Sequence, residues 1–207
     1  MKATPDYQQD LASIRHTMER SVKFLSLSGL SGILAGIYAI LGASLAYYLL
    51  YYPAAPYGYS PKSVVEENIV SQLMIIASAV LVLAIGSAYL FSAGKARKTG
   101  VSLWSVSSKN MLINMLIPLL SGGLLILIFI SQGYFKLVAP GCLIFYGLSL
   151  VSASQFTFGE IRFLGFTQIV LGLINAMLPE YGLVLWSLGF GVMHVVYGAV
   201  MFYRYEK

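Results

Sequence analysis

Apolar residues in this chain come in long unbroken runs separated by short polar stretches, not in the two-residue alternation of a half-buried strand. The runs are Phe24 to Tyr51, Ile69 to Phe91, Met111 to Ile130, Val138 to Ser154, Phe163 to Leu178 and Gly182 to Tyr203. A hydrocarbon core about 30 Å thick is crossed by roughly 20 helical residues, each closing its own backbone hydrogen bonds because lipid offers none. The pattern therefore predicts an all-α polytopic transmembrane helical bundle of about six spans. The fourth and fifth runs are short for a full crossing, so they are expected to borrow residues from the turn around Gly159 or to sit in locally thinned bilayer.

Residues 1–23 follow a different rule. Leu11, Ile14, Met18, Val22 and Leu25 recur at spacings of three and four, while Asp10, Arg15, Glu19 and Arg20 take other faces. Thr4 followed by Pro5 makes a helix start. An amphipathic helix at the membrane interface is expected there, ahead of a six-helix transmembrane domain over 24–207. The first apolar run lies too far from Met1 and is too long for a cleaved secretory signal, so the N-terminus is expected to be retained. Between the first two runs, YYPAAPYGYSPK carries Pro53, Pro56, Pro61 and several tyrosines. Tyrosine favours the headgroup level, so this loop is expected to rest on the membrane surface or to cover an outward-facing pocket.

Charge fixes an expected orientation. Lys2, Arg15, Arg20 and Lys23 precede the first span, Lys95, Arg97, Lys98 and Lys109 lie between the second and third, Arg162 follows the fourth, and Arg204 and Lys207 follow the sixth. Only Lys62 and Lys136 fall in the opposite loops. By the positive-inside rule both termini are cytoplasmic, in a cell inner (cytoplasmic) membrane. Composition agrees, with 58% hydrophobic and 10% charged residues against roughly 25% charged in a soluble domain. The net charge of +5 flanks apolar runs instead of gathering on one polar face, which argues against a nucleic-acid partner.

Few residues offer chemistry inside the spans. Counting ~1.5 Å per residue from the span ends places Tyr38, Tyr146, His194 and Tyr197 near the bilayer midplane, where they are candidates for a ligand pocket. An intramembrane histidine is costly when charged and so is a functional candidate, or else a neutral ring bonded to a tyrosine. Tyr197, one turn away on the same helix, is the nearest candidate for that bond. Gln72, Asn114, Gln168 and Asn175 read as interhelical glue or as the lining of a path. No carboxylate lies deep in a span, which removes the usual exchanger of ion-coupled pumps. Glu160 and Arg162 in TFGEIRF read as a local ion pair, a helix cap or an interfacial anchor. Cys142 stands alone, and His16 lies outside the spans, so no disulfide, metal cluster, haem or other cofactor is expected.

Small residues recur where helices must approach closely. Ser28, Gly32 and Gly36 are four apart, as are Ala35, Ala39 and Ala43, with Gly189, Gly191 and Gly198 on the last span. The Gly32 and Gly36 face is a candidate surface for homo-oligomer formation. GLSGILAGIYA from Gly29 and GFTQIVLGLIN from Gly165 are faintly alike, and both follow a basic residue and Phe-Leu, a relation between two helices of the same direction.

The stretches Met18 to Gly36, Gly141 to Gly165 and Tyr181 to Glu206 resemble a group of six-helix bacterial integral membrane proteins, which implies the span count and brings no activity. Gly29-Leu30-Ser31-Gly32 has the GxSG form, and with His194 it resembles the serine and histidine dyad of rhomboid intramembrane proteases. That resemblance implies Ser31 as nucleophile and His194 as its base. It covers only those few residues and puts the serine on the first span where rhomboids carry it on the fourth. Three functions follow as expectations: a non-enzymatic binding, sensing or partner-interaction module holding a membrane lipid or small amphiphilic ligand, a small transporter or channel subunit, and a rhomboid-like serine hydrolase.

Overall fold

A computed structural model describes residues 27–51, 67–100 and 102–207. The expected interfacial helix over 1–23, the domain division after it and the Pro/Tyr loop lie outside the described residues. Six helices are long and apolar enough to cross a membrane, and no strand occurs among the described residues. The described residues are thus all-helical, with the six apolar helices of a multi-pass membrane protein. We number the helices α1 (Gly29–Tyr51), α2 (Glu67–Thr99), α3 (Val106–Ser131), α4 (Val138–Ala153), α5 (Glu160–Met177) and α6, which runs through Gly182–Trp186, a π-helical stretch Ser187–Met193, and His194–Tyr205.

Helix ends fall where side chains or glycines can take over orphan backbone groups. Ser105 opens α3, its hydroxyl accepting from the Ser108 amide at 3.2 Å. At the other end Gly133, at φ +77°, reverses the chain, with Gly133 N–H on the Ile130 carbonyl at 3.1 Å and Tyr134 N–H on that of Phe129 at 2.8 Å. Only glycine takes that left-handed position cheaply, and both bonds satisfy carbonyls the helix leaves open. α2 and α3 extend past the apolar runs seen in the sequence, since the backbone of Lys95 to Thr99 and of Val106 to Asn110 continues to wind beyond the greasy stretch.

The helices pack as a chain of neighbours: α2 on α1, α1 on α6, α6 on α5 and α4, α5 on α4 most extensively, and α4 on α3. Glycine sets the closest of these approaches. A Cβ on Gly36 would come within 2.6 Å of the Gly191 carbonyl oxygen, and one on Gly198 within 2.8 Å of that of Gly29. These two contacts are seven residues apart on both helices and run in opposite directions, the register of an antiparallel heptad seam. The Gly32 and Gly36 face is therefore covered by α6 of the same chain, Gly32 lying against Gly198. The face expected to serve oligomer formation is thus occupied, within the single chain, by α6. α4 and α5 cross at Gly147 and Gly165, where a Cβ on either would meet the other's carbonyl oxygen within 2.8 Å.

At one end of the bundle the start of α1 and the end of α6 are held together. The Glu206 carboxylate accepts from the Gly29 amide at 2.7 Å, from the Ser28 hydroxyl at 3.1 Å and from Lys95 Nζ at 3.2 Å. An anion at a helix N-terminus meets both the free amides and the positive end of the dipole. Lys95 also donates to the Leu27 carbonyl at 2.9 Å and stands 5.4 Å over the Phe158 ring, drawing in α2 and the α4–α5 turn. Glu160, on the first turn of α5, accepts from Arg204 at 2.7 Å and from the Tyr205 hydroxyl at 2.8 Å. These two partners come from the tail of α6, while Arg162 lies 5.4 Å over the Phe166 ring. This is the basic end of the molecule.

Candidate functional site

The polar residues inside the bundle begin with α5. Gly165, Gln168, Gly172 and Asn175 alternate at three and four, so they form one buried stripe, with the glycines against α4 and the amides reaching α6. Gln168 Nε2 donates to the Gly189 carbonyl at 2.8 Å and Asn175 Nδ2 to that of Gly182 at 3.1 Å. Both links are seven residues apart on each helix, so the pair acts as two rungs of one ladder. The side-chain oxygens of both amides are buried without a hydrogen-bond partner. Gln168 Oε1 occupies the space where a Cβ on residue 189 would stand, 2.5 Å from that position, which explains why glycine is needed there.

The second element is His194, at the C-terminal edge of the π-helical stretch. Its Nδ1 lies 3.0 Å from the Gly189 carbonyl, which only accepts, so Nδ1 carries the proton. Nε2 is then the acceptor in the neutral ring, and the Tyr146 hydroxyl donates to it at 2.8 Å. A neutral imidazole with both nitrogens satisfied is the low-cost form in lipid. Phe190 lies nearly parallel to the ring at 5.9 Å between centroids, and Tyr146 and Trp186 flank Phe190 at 4.9 and 4.8 Å. The Gly189 carbonyl thus takes two side-chain N–H donors, one from α5 and one from its own helix.

Of the four sequence-derived site residues, the structure brings Tyr146 and His194 together. Tyr38 and Tyr197 are half-buried, and the imidazole has no nitrogen left for either. The expected bond from Tyr197 fails for a geometric reason. Helical side chains lean toward the N-terminus, so the His194 ring lies back over Gly189 and Phe190, away from the following turn. Tyr38 sits one turn from Gly42, whose missing Cβ faces Val80 and Ile76 of α2, so it belongs to the α1–α2 side.

The hydrolase geometry is not assembled. The Ser31 hydroxyl donates to the Ser28 carbonyl of its own helix at 2.6 Å, and His194 is engaged by Gly189 and Tyr146. Nor do the four amides line one path. Gln72 is exposed on α2, and Asn114 Nδ2 bonds the Asn110 carbonyl of its own helix at 2.8 Å. Among the described residues no three His, Cys, Asp or Glu side chains gather as metal ligands would.

A groove of about 360 Å³ opens beside this polar core, between the far half of α1 and the first half of α6. Ile40, Ala43, Ser44 and Tyr47 form one wall, and Leu183, Val184, Ser187 and Val192 the other. It opens beyond the last glycine contact of the seam, that of Gly36 with Gly191. The two serines point no free donor into it, since Ser44 Oγ bonds the Ile40 carbonyl at 2.8 Å and Ser187 Oγ that of Val184 at 2.9 Å. Sequence reasoning missed the groove, because none of its residues is polar enough or rare enough to mark it. No protein-family model, curated protein or solved structure matches the chain.

Proposed function

We propose that this protein is a non-enzymatic, multi-pass module of the cytoplasmic (inner) membrane that holds the acyl chain of a membrane lipid or similar amphiphile in the groove between α1 and α6. The observation that carries the reading is the groove itself, mostly apolar-walled and of ligand size, with Val184 on its α6 wall exposed to the surroundings of the bundle. An apolar cleft facing hydrocarbon is filled by the hydrocarbon around it. With both serine hydroxyls turned onto their own helices, these two wall residues contribute shape and no free donor. The reactive groups of the core are bonded internally, which supports a binding role over catalysis.

Orientation follows from the charge asymmetry, with the basic end of the bundle and both termini in the cytoplasm. On that assignment the groove lies in the outer leaflet, with Tyr47 toward the headgroups and Ile40 and Val192 toward the midplane. The test is native mass spectrometry of the protein released from a mild detergent. A lipid is expected to remain on the wild type and on Leu41→Trp, a bulky change on the exposed face of α1, and to be lost from Ser44→Trp, which fills the groove. A wild type that carries no lipid, or a Ser44→Trp variant that retains it fully, refutes the reading; ion or solute flux through reconstituted protein replaces it with transport.

A further inference from the structure

The α6 wall of the groove is built around an irregular piece of helix. Leu183 and Val184 precede the π-helical stretch Ser187–Met193, while Ser187 and Val192 lie within it. A π-helical stretch holds more residues per turn than an α-helix, and such stretches recur at functional sites. Winding it back by one residue turns everything before it by about 100° relative to everything after it. The half after it is fixed on α1 by Gly198 and Gly29. Such a turn would carry Leu183 and Val184 off the groove wall.

We propose that the polar chain Gln168, Gly189, His194 and Tyr146 holds α6 in its π-helical register and thereby keeps the groove open. The doubly bonded Gly189 carbonyl is the fixed point. Gln168 Nε2 pulls it toward α5, and the His194 ring, five residues on, takes it in the direction a π turn requires. Tyr146 holds the ring in place from α4 through Nε2. Gln168, His194 and Tyr146 are positioning residues that touch no ligand and act through the wall they orient. Because a groove occupant and the register favour the same state, each stabilises the other. The inference rests on the groove reading above for its function, but the register itself is measured separately.

Spin labels at Leu41 on α1 and Tyr181 ahead of α6, in a Cys142→Ser background, report the rotation as a distance, and native mass spectrometry reports lipid retained. Tyr146→Phe and Gln168→Leu are each expected to move or broaden that distance and to reduce retained lipid by about fivefold or more. Asn114→Leu, at a residue whose amide bonds the Asn110 carbonyl of its own helix and touches neither α5 nor α6, is expected to change neither. Amide exchange over 187–194 in the unlabelled variants, expected to rise with Tyr146→Phe and Gln168→Leu only, covers a variant too unstable to label. An unchanged distance and unchanged exchange in Tyr146→Phe and Gln168→Leu overturn the proposal. If those readouts shift while Ser44→Trp leaves lipid bound, the register claim stands and the groove reading falls.

Discussion

Replacing Gly198 by alanine adds one methyl group where α6 lies directly against the α1 backbone. Its Cβ would stand 2.5 Å from the Ile33 amide nitrogen, 2.8 Å from the Gly29 carbonyl oxygen and 2.9 Å from the Gly32 carbonyl carbon. All three are backbone atoms, so no side-chain rotation relieves the overlap. Restoring ordinary contact requires the helices to separate by roughly 1 Å, given a normal spacing near 3.5 Å. Overpacking of this kind costs about 1–3 kcal/mol, and separation also loosens the Gly36 and Gly191 contact one heptad away. Gly86 on α2 is the matched control, because nothing lies within 4 Å of the Cβ it lacks. There alanine removes the penalty of a mid-helix glycine, worth about 0.5–1 kcal/mol, so stability is expected to hold or rise. The assay is reversible unfolding in mixed micelles titrated with a denaturing detergent, or thermal unfolding at fixed detergent. A Gly198→Ala protein that unfolds with or after the wild type refutes the heptad seam, as does a loss of equal size from Gly86→Ala.

Three further outcomes are expected. Glu206→Gln removes the ion pair with Lys95 and weakens the cap on α1, costing about 1–2 kcal/mol for a charged contact mostly shielded from solvent; Lys136→Ala, which breaks the exposed pair with Glu180 at 3.5 Å, is expected to change stability by less than about 0.5 kcal/mol in the same assay. Asn175→Leu loses one interhelical bond worth about 0.6 kcal/mol but also removes a buried oxygen that has no donor, so its unfolding midpoint should match or exceed the wild type, and a loss above about 2 kcal/mol would show that Oδ1 is satisfied in the membrane. A reporter that folds only in the cytoplasm, fused after Lys207, is expected to be active, while one that folds only outside is expected to be silent; the opposite result reverses the orientation.

Span number and order were legible in the sequence because each apolar run is long enough to demand a helix regardless of its neighbours. Helix ends were less so. α2 winds on through Lys95, Arg97 and Lys98 to Thr99, since backbone hydrogen bonding continues where hydrophobicity stops. The glycines were rightly read as packing residues, but their pairing was not readable: Gly191 and Gly198 face α1, while Gly189, two positions from Gly191, faces Gln168 of α5. The two faintly similar segments do run parallel, both antiparallel to α6, yet α1 meets α6 with glycines where α5 meets it with amides. His194 was recognisable as an intramembrane imidazole, whereas its partner Tyr146, 48 positions away, depends on tertiary packing. The Glu206 cap went unread because a carboxylate at the end of one helix finds the start of another only through the fold, although an acidic residue amid basic flanks was a usable signal.

The amide ladder has a consequence for how the chain is made. α5 has the lowest mean hydropathy of the six spans, and its two buried amides find their acceptors, the carbonyls of Gly182 and Gly189, only on the segment synthesised next. As the ribosome delivers it, α5 enters the translocon with those amides unmet and a reduced drive to partition into lipid. The arrival of α6 is then expected to complete its insertion, so that the last two spans partition as a hairpin and a chain truncated before Gly182 inserts α5 less completely.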